Sequence, residues 1–241
     1  MTNKQLPEIN CDLGEGIPSE ENIFPWIDAA SIACGGHYGD RSSIYQSLLL
    51  AKKFGKKVGA HPSYPDRENF GRQSIPISNE DLIQSIQTQL HLFLEVANDL
   101  DFTLDHIKFH GALYNDAAKR VDLAASLTNF LLKTFPQTPV FTPPNSEMER
   151  LCIEKGLPIR REVFADRAYY SDYSLVSRNI KGSLLSDFES INRQLDPLFT
   201  KGELISIEGV QLPVQADTLC FHGDNPGLDS FLSAIRQTWW T

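Results

Sequence analysis

The sequence predicts an α/β protein built on a parallel sheet, and three observations lead to that prediction. Short apolar or β-branched runs alternate with longer helical patterns along the whole chain, which is typical of βαβ units. The 241 residues fall within the size range of a single α/β barrel. No repeat, low-complexity tract or Gly/Ser linker divides them, so we predict one domain over residues 1–241.

The predicted elements follow from these runs in chain order. Seven apolar runs predict strands over residues 8–13, 31–35, 57–60, 106–109, 139–142, 160–164 and 217–221. Helical patterns between them cover residues 42–54, 79–100, 117–134, 146–155, 186–199 and 228–239. Ser78 with Asp81 resembles a capping box at the start of the longest helix. Glu208 and Gly209 separate two alternating runs, so residues 203–215 predict a hairpin before the last strand.

Composition excludes several classes of partner. The chain has 22 Lys and Arg against 31 Asp and Glu, a net charge of −9, which argues against nucleic acid and anionic membranes. No apolar run approaches the roughly 20 residues that span a bilayer, and residues 1–8 lack a signal-peptide pattern. We therefore expect a cytoplasmic protein. The four cysteines are far apart and form no C-x-x-C motif, which predicts reduced, buried thiols.

Alternation along the strands predicts which polar side chains point into a barrel. In the first strand the apolar residues share one face, which turns Asp12 to the inner face. The same alternation directs Lys108 and His110 inward from the fourth strand, and His222 and Asp224 inward from the last. All of them are at the carboxyl ends of their strands.

Two further histidines follow small residues at strand ends: His37 after Gly35-Gly36 and His61 after Gly59-Ala60. The carboxyl end of the strands is where α/β barrels carry their active sites, because loops there vary without disturbing the core. We therefore predict one shared functional site, whereas His91 within a helix and His106 at the opposite strand end are expected to be structural.

The loops after the strands add charged groups suited to an anionic ligand. Arg67 and Arg72 lie among glycine and proline turns, and Asp166 and Arg167 follow the sixth strand. The sequence contains neither G-x-x-x-x-G-K-[ST] nor G-x-G-x-x-G, so the standard nucleotide cradles are excluded as motifs.

These residues lie in long blocks that resemble the LamB/YcsF family. The blocks are residues 9–16 (INCDLGEG), 32–37 (IACGGH), 58–62 (VGAHP), 108–115 (KFHGALYN), 162–169 (EVFADRAY) and 215–226 (QADTLCFHGDNP). The resemblance spans nearly the whole chain. It implies a distorted seven-stranded TIM-like barrel, similar to the glycoside hydrolase/deacetylase superfamily. It also implies the A subunit of an ATP-dependent 5-oxoprolinase, acting with separate B and C subunits and with ATP as co-substrate.

Opening 5-oxoproline to glutamate breaks an unstrained γ-lactam, so the implied reaction needs a base for water, an acid for the ring nitrogen and cations for the anionic groups. Asp12 or His61 is the candidate base, and His110 or His222 the candidate acid. Lys108, with Arg167 or Arg72, is the candidate charge-neutralising group. The predicted substrate- and phosphate-binding residues are His37, Arg72, Asp166, Arg167 and Asp224.

Two other functions are compatible with the same residues. One is a metal-dependent deacetylase of small amides or sugars, with Asp12, His37 and His61 as ligands if a divalent ion is bound. The other is a non-catalytic subunit that binds a carboxylate or a sugar.

Overall fold

A closed barrel of parallel strands forms the centre of the molecule. The computed structural model describes residues 6–18 and 20–240. Within them, the strands are β1 (Glu8–Leu13), β2 (Ala29–Ala33), β3 (Lys57–His61), β4 (His106–Ile107), β5 (Val140–Thr142), β6 (Ile159–Phe164), β7 (Glu203–Ile205), β8 (Gln211–Pro213) and β9 (Thr218–His222). The described part of the barrel has seven strands in the order β1-β2-β3-β4-β5-β6-β9, and β9 closes it by pairing with β1. The predicted α/β barrel is confirmed.

Helices connect the strands around the outside. They are α1 (Arg41–Phe54), α2 (Asn79–Asp99), α3 (Gly111–Lys119), α4 (Val121–Thr134), α5 (Glu147–Lys155), α6 (Phe188–Lys201) and α7 (Leu228–Trp239), with 3-10 turns at Glu20–Asn22 and Phe24–Trp26. The Ser78 hydroxyl accepts a hydrogen bond from the Asp81 amide at the start of α2, as predicted. Within the described residues, no helix combines the length and apolar character needed to cross a membrane.

The structure corrects two of the predicted elements. The helix predicted over 117–134 is two helices, α3 and α4, because Arg120 between them has an extended backbone (φ −98°, ψ 109°). Strand β2 begins two residues earlier than predicted, since Ala29 and Ala30 pair with Lys57 and Val58 of β3. Alanine is a weak strand former, so the sequence pattern did not indicate this start. The predicted hairpin is present as antiparallel β7 and β8.

The predicted alternation of β1 is confirmed by its contacts. Ile9, Cys11 and Leu13 are fully buried in the apolar core of the protein. Asn10, on the inner face, donates a hydrogen bond to Thr218 Oγ1 of β9 at 2.7 Å. The register of β1 with β9 places Asp12 beside His222. All four cysteines are free and buried, as predicted.

His106 fills the barrel at the end opposite the predicted site. Its Nε2 lies 2.9 Å from Ser31 Oγ, and its ring stacks on Phe141 with centroids 4.0 Å apart. A Cβ at position 59 would lie 2.3 Å from this ring, so Gly59 makes room for the histidine. The Nδ1 atom is 3.0 Å from Asp105, whose carboxylate also pairs with Arg160. The predicted structural role of His106 agrees with this packing.

This packing predicts a pH dependence of stability. Burial lowers the pKa of His106 although Asp105 opposes the shift, so the folded protein keeps this ring neutral where the unfolded chain, with a pKa of about 6.5, takes up a proton. The free energy of unfolding should fall as the pH drops below about 6.5, and His106→Gln should make the slope shallower by up to about 1.4 kcal/mol per pH unit. Urea unfolding between pH 8 and 5 measures this, with exposed His91→Gln as the matched control. Equal slopes in the two variants would contradict the prediction.

Candidate functional site

A cavity of about 750 Å³ opens at the carboxyl ends of the barrel strands. Its wall contains the five residues predicted to be catalytic: Asp12, His61, Lys108, His110 and His222. Arg72, Arg167 and Asp224 also line it. The structure therefore brings together, around one space, side chains from distant parts of the chain.

The other two predicted site residues are buried behind residues of the wall. His37 contacts Glu15, and Asp166 contacts His222. Both are at most 1% exposed, so they act on the cavity through the residues they hold.

Lys108 occupies the centre of the barrel and is surrounded by polar atoms. Its Nζ lies 2.6 Å from Asp12 Oδ1 and 2.9 Å from Glu162 Oε1. It is also 3.0 Å from Cys220 Sγ and 3.4 Å from Asn10 Oδ1. The side chain is fully buried, and an ammonium ion in such a place requires anionic partners. Asp12, which the sequence suggested as one candidate partner, is joined by a second carboxylate, Glu162.

The two charges hold each other ionised. Burial alone would lower the pKa of Lys108, but Asp12, Cys220 and Glu162 outweigh it and raise that pKa well above its usual value. Burial alone would raise the pKa of Asp12, whereas Lys108 and His61 hold it well below the usual range. Asp12 is therefore a carboxylate and Lys108 an ammonium at neutral pH.

His222 is held by a carboxylate in the manner of a catalytic histidine. Its Nδ1 lies 2.8 Å from Asp166 Oδ1, while its backbone amide and the Asn225 side chain both donate to Oδ2 at 3.0 Å. Burial would raise the pKa of Asp166, but His222 and these hydrogen bonds lower it. The carboxylate thus fixes the proton of His222 on Nδ1 and leaves Nε2 as the nitrogen that can exchange a proton.

A second cluster joins three histidines to Glu15. His37 Nε2 is 2.9 Å from Glu15 Oε1, and His61 Nε2 is 2.9 Å from His110 Nδ1. The rings of His37 and His110 stack in parallel with centroids 3.6 Å apart. Burial lowers the pKa of His37 and His110 and raises that of Glu15. Sequence reasoning missed Glu15, which follows β1 in a turn where strand alternation no longer applies.

The ligand set expected for a deacetylase is arranged differently from the expectation. His61 Nε2 lies 3.5 Å from Asp12 Oδ2, but His37 faces Glu15 instead of Asp12. The group of potential ligand atoms within 4.8 Å of one another consists of Glu15, His37, His61 and His110. These residue types fit a divalent ion, with Glu15 in the place expected for Asp12.

Charged residues surround the outer part of the cavity. Asp224 forms ion pairs with Arg72 and with Arg178, the latter at 3.0 Å. Arg178 lies in the long segment after β6 and was not predicted from the sequence. The buried Arg167 donates to the carbonyl oxygens of Val176 and Ser183, at 2.7 and 3.3 Å, and so holds this segment over the barrel. The mouth thus offers guanidinium groups to an anionic ligand.

The fold and site together define an α/β barrel with an ionisable cavity at its carboxyl end, the arrangement of barrel enzymes. The LamB/YcsF family model matches residues 7–240, and the chain belongs to this family.

Similar proteins cover almost the whole chain. The 5-oxoprolinase A subunit of Erwinia tasmaniensis is 39% identical over 230 residues, which are 95% of this chain and 94% of that protein. The 5-oxoprolinase A subunit of Haemophilus influenzae is 36% identical over 231 residues, with the same coverage. The crystal structure of the lactam utilization protein from Thermus thermophilus is similar with a TM-score of 0.87, 30% identity and 97% coverage of both chains.

The buried ion pairs generate a stability prediction. Lys108→Met leaves Asp12 and Glu162 without their shared cation, so we expect the free energy of unfolding to fall by about 3–5 kcal/mol. The double variant Lys108→Met/Glu162→Gln removes one of the two charges and should recover part of the loss. Chemical denaturation measures both, with the exposed Lys53→Met as control. A Lys108→Met variant as stable as the control would show that the carboxylates do not depend on Lys108.

Proposed function

We propose that this chain is the A subunit of an ATP-dependent 5-oxoprolinase, which hydrolyses the lactam of 5-oxo-L-proline to L-glutamate with cleavage of ATP. Membership of the LamB/YcsF family supports the proposal. So do the relatives that are named as 5-oxoprolinase A subunits, which the chain matches over nearly its full length. Their naming as one lettered subunit supports action in a complex, in which we place separate B and C subunits.

The observation that carries the proposal is that one cavity combines a carboxylate-held histidine, a buried carboxylate–ammonium pair and arginines at its mouth. An amide of this kind is a poor electrophile. Phosphorylation of the lactam oxygen by ATP activates the ring carbon. Water then adds to that carbon, and the carbon–nitrogen bond breaks as the nitrogen gains a proton. Hydrolysis of the resulting acyl phosphate consumes a second water and releases phosphate and glutamate.

The geometry favours one assignment among the candidate roles. His222 delivers the proton to the departing nitrogen, because Asp166 leaves its Nε2 available. Asp12, ionised beside Lys108, accepts a hydrogen bond from the attacking water. Lys108 is already neutralised by two carboxylates, so the arginines at the mouth are better placed to meet the substrate carboxylate or phosphate.

Reconstitution tests the proposal. The purified chain alone should give no turnover, whereas the chain with candidate B and C subunits should release glutamate and ADP from 5-oxoproline and ATP. Release of acetate from an N-acetylated sugar without ATP would overturn the proposal in favour of a deacetylase. Binding of 5-oxoproline without turnover in the full complex would favour a non-catalytic subunit.

The role of His222 gives a kinetic prediction. In the reconstituted complex, His222→Gln should lower kcat by roughly 10²–10⁴-fold with a smaller change in KM, because a general acid acts in the transition state. Asp166→Asn should lower kcat less, since the imidazole remains but loses its fixed orientation. Steady-state kinetics with His91→Gln as the surface control measures both effects. Full activity of His222→Gln would exclude it as the acid.

A further inference from the structure

The cluster of Glu15 and three histidines contains two ring nitrogens that face each other without a proton to share. His61 Nδ1 lies 2.8 Å from the carbonyl oxygen of Lys108, and His110 Nε2 lies 3.0 Å from that of Phe70. A carbonyl only accepts hydrogen bonds, so these two nitrogens carry the ring protons. A neutral imidazole has one N–H, and the inner nitrogens, His61 Nε2 and His110 Nδ1, therefore present lone pairs to each other at 2.9 Å.

The surroundings of these lone pairs add negative charge. Glu15 Oε1 lies 3.3 Å from His110 Nδ1 and 3.9 Å from His61 Nε2, and Asp12 Oδ2 lies 3.5 Å from His61 Nε2. Acceptors at these distances repel one another unless a cation lies between them. An added proton or a metal ion can fill that role.

The distances fit a metal ion. Four ligands at about 2.0–2.1 Å from a tetrahedral zinc ion are about 3.3–3.4 Å from one another. The separations among Glu15 Oε1, His61 Nε2 and His110 Nδ1 are 2.9, 3.3 and 3.9 Å, which bracket this value. Both histidines also donate their outer N–H to a backbone carbonyl, as metal-binding histidines do.

His37 has a different role from the other two histidines. Its ring is parallel to that of His110, with an angle of 3° between the planes. Lone pairs lie in the ring plane, so two stacked rings cannot both direct one at the same ion. His37 Nε2 instead lies 2.9 Å from Glu15 Oε1 and fixes the carboxylate.

We propose that Glu15, His61 and His110 form a three-ligand site for a divalent transition-metal ion, preferentially Zn²⁺, and that His37 positions Glu15. Imidazole and carboxylate ligands suit this class of ion. All three ligands line the cavity, so the fourth coordination position is open to it. The ion supplies a Lewis acid there when bound. Asp12 stays outside the ligand set because it pairs with Lys108.

Metal binding by the isolated chain tests this site without substrate or partner subunits, so its outcome is independent of the proposed function. The tag-free, chelator-treated protein is titrated with Co²⁺ and with Zn²⁺, and bound metal is measured by mass spectrometry after desalting. We expect one equivalent of either ion and, for Co²⁺, the intense visible absorption of a tetrahedral site. His91→Gln, on the surface, should bind metal like the parent.

The variants separate ligands from positioning residues. His61→Gln and His110→Gln should lose the stoichiometric ion and the cobalt spectrum, while His37→Gln should keep the spectrum but bind roughly 10–100-fold more weakly. Circular dichroism establishes that each variant is folded. Should a ligand variant fail to fold, the cobalt spectrum of the parent still decides. A parent that binds no ion, or a folded His61→Gln that binds as tightly as the parent, would overturn the proposal and indicate a shared proton between the two rings.

Discussion

The ammonium group of Lys108 is the constraint on which the interior of the barrel depends. It enters from the end of β4 and meets Asp12 of β1, Glu162 of β6 and Cys220 of β9. A charge buried in this way is tolerated only with partners in good geometry, so the strands that supply those partners must keep their register. The pairing of β1 with β9 and of β9 with β6 provides that register.

The two ends of the barrel solve the problem of buried polar groups differently. At the amino end, His106 is surrounded by Ser31, Asp105 and the ring of Phe141, which satisfy its hydrogen bonds and fill the space. At the carboxyl end, the polar groups line an open cavity. One end therefore stabilises the fold, and the other leaves reactive groups exposed to a ligand.

Two histidine arrangements occur side by side at the carboxyl end, and they are chemically distinct. His222 has its proton fixed by a carboxylate and its second nitrogen available for proton transfer. His61 and His110 have their outer protons fixed by backbone carbonyls and direct two lone pairs at each other. The hydrogen-bond partner of the outer nitrogen thus determines whether a histidine is suited to proton transfer or to binding a cation.

The sequence by itself determined the barrel class and the inward direction of Asp12, Lys108 and His222, because a strand repeats every two residues whatever surrounds it. Tertiary structure alone decided the partners of those residues. Lys108 and Asp12 are 96 residues apart, and their contact exists only because the barrel closes. Glu15 and Arg178 lie in turns and loops, where no periodicity gives a side-chain direction, so only the folded chain could place them beside the cavity.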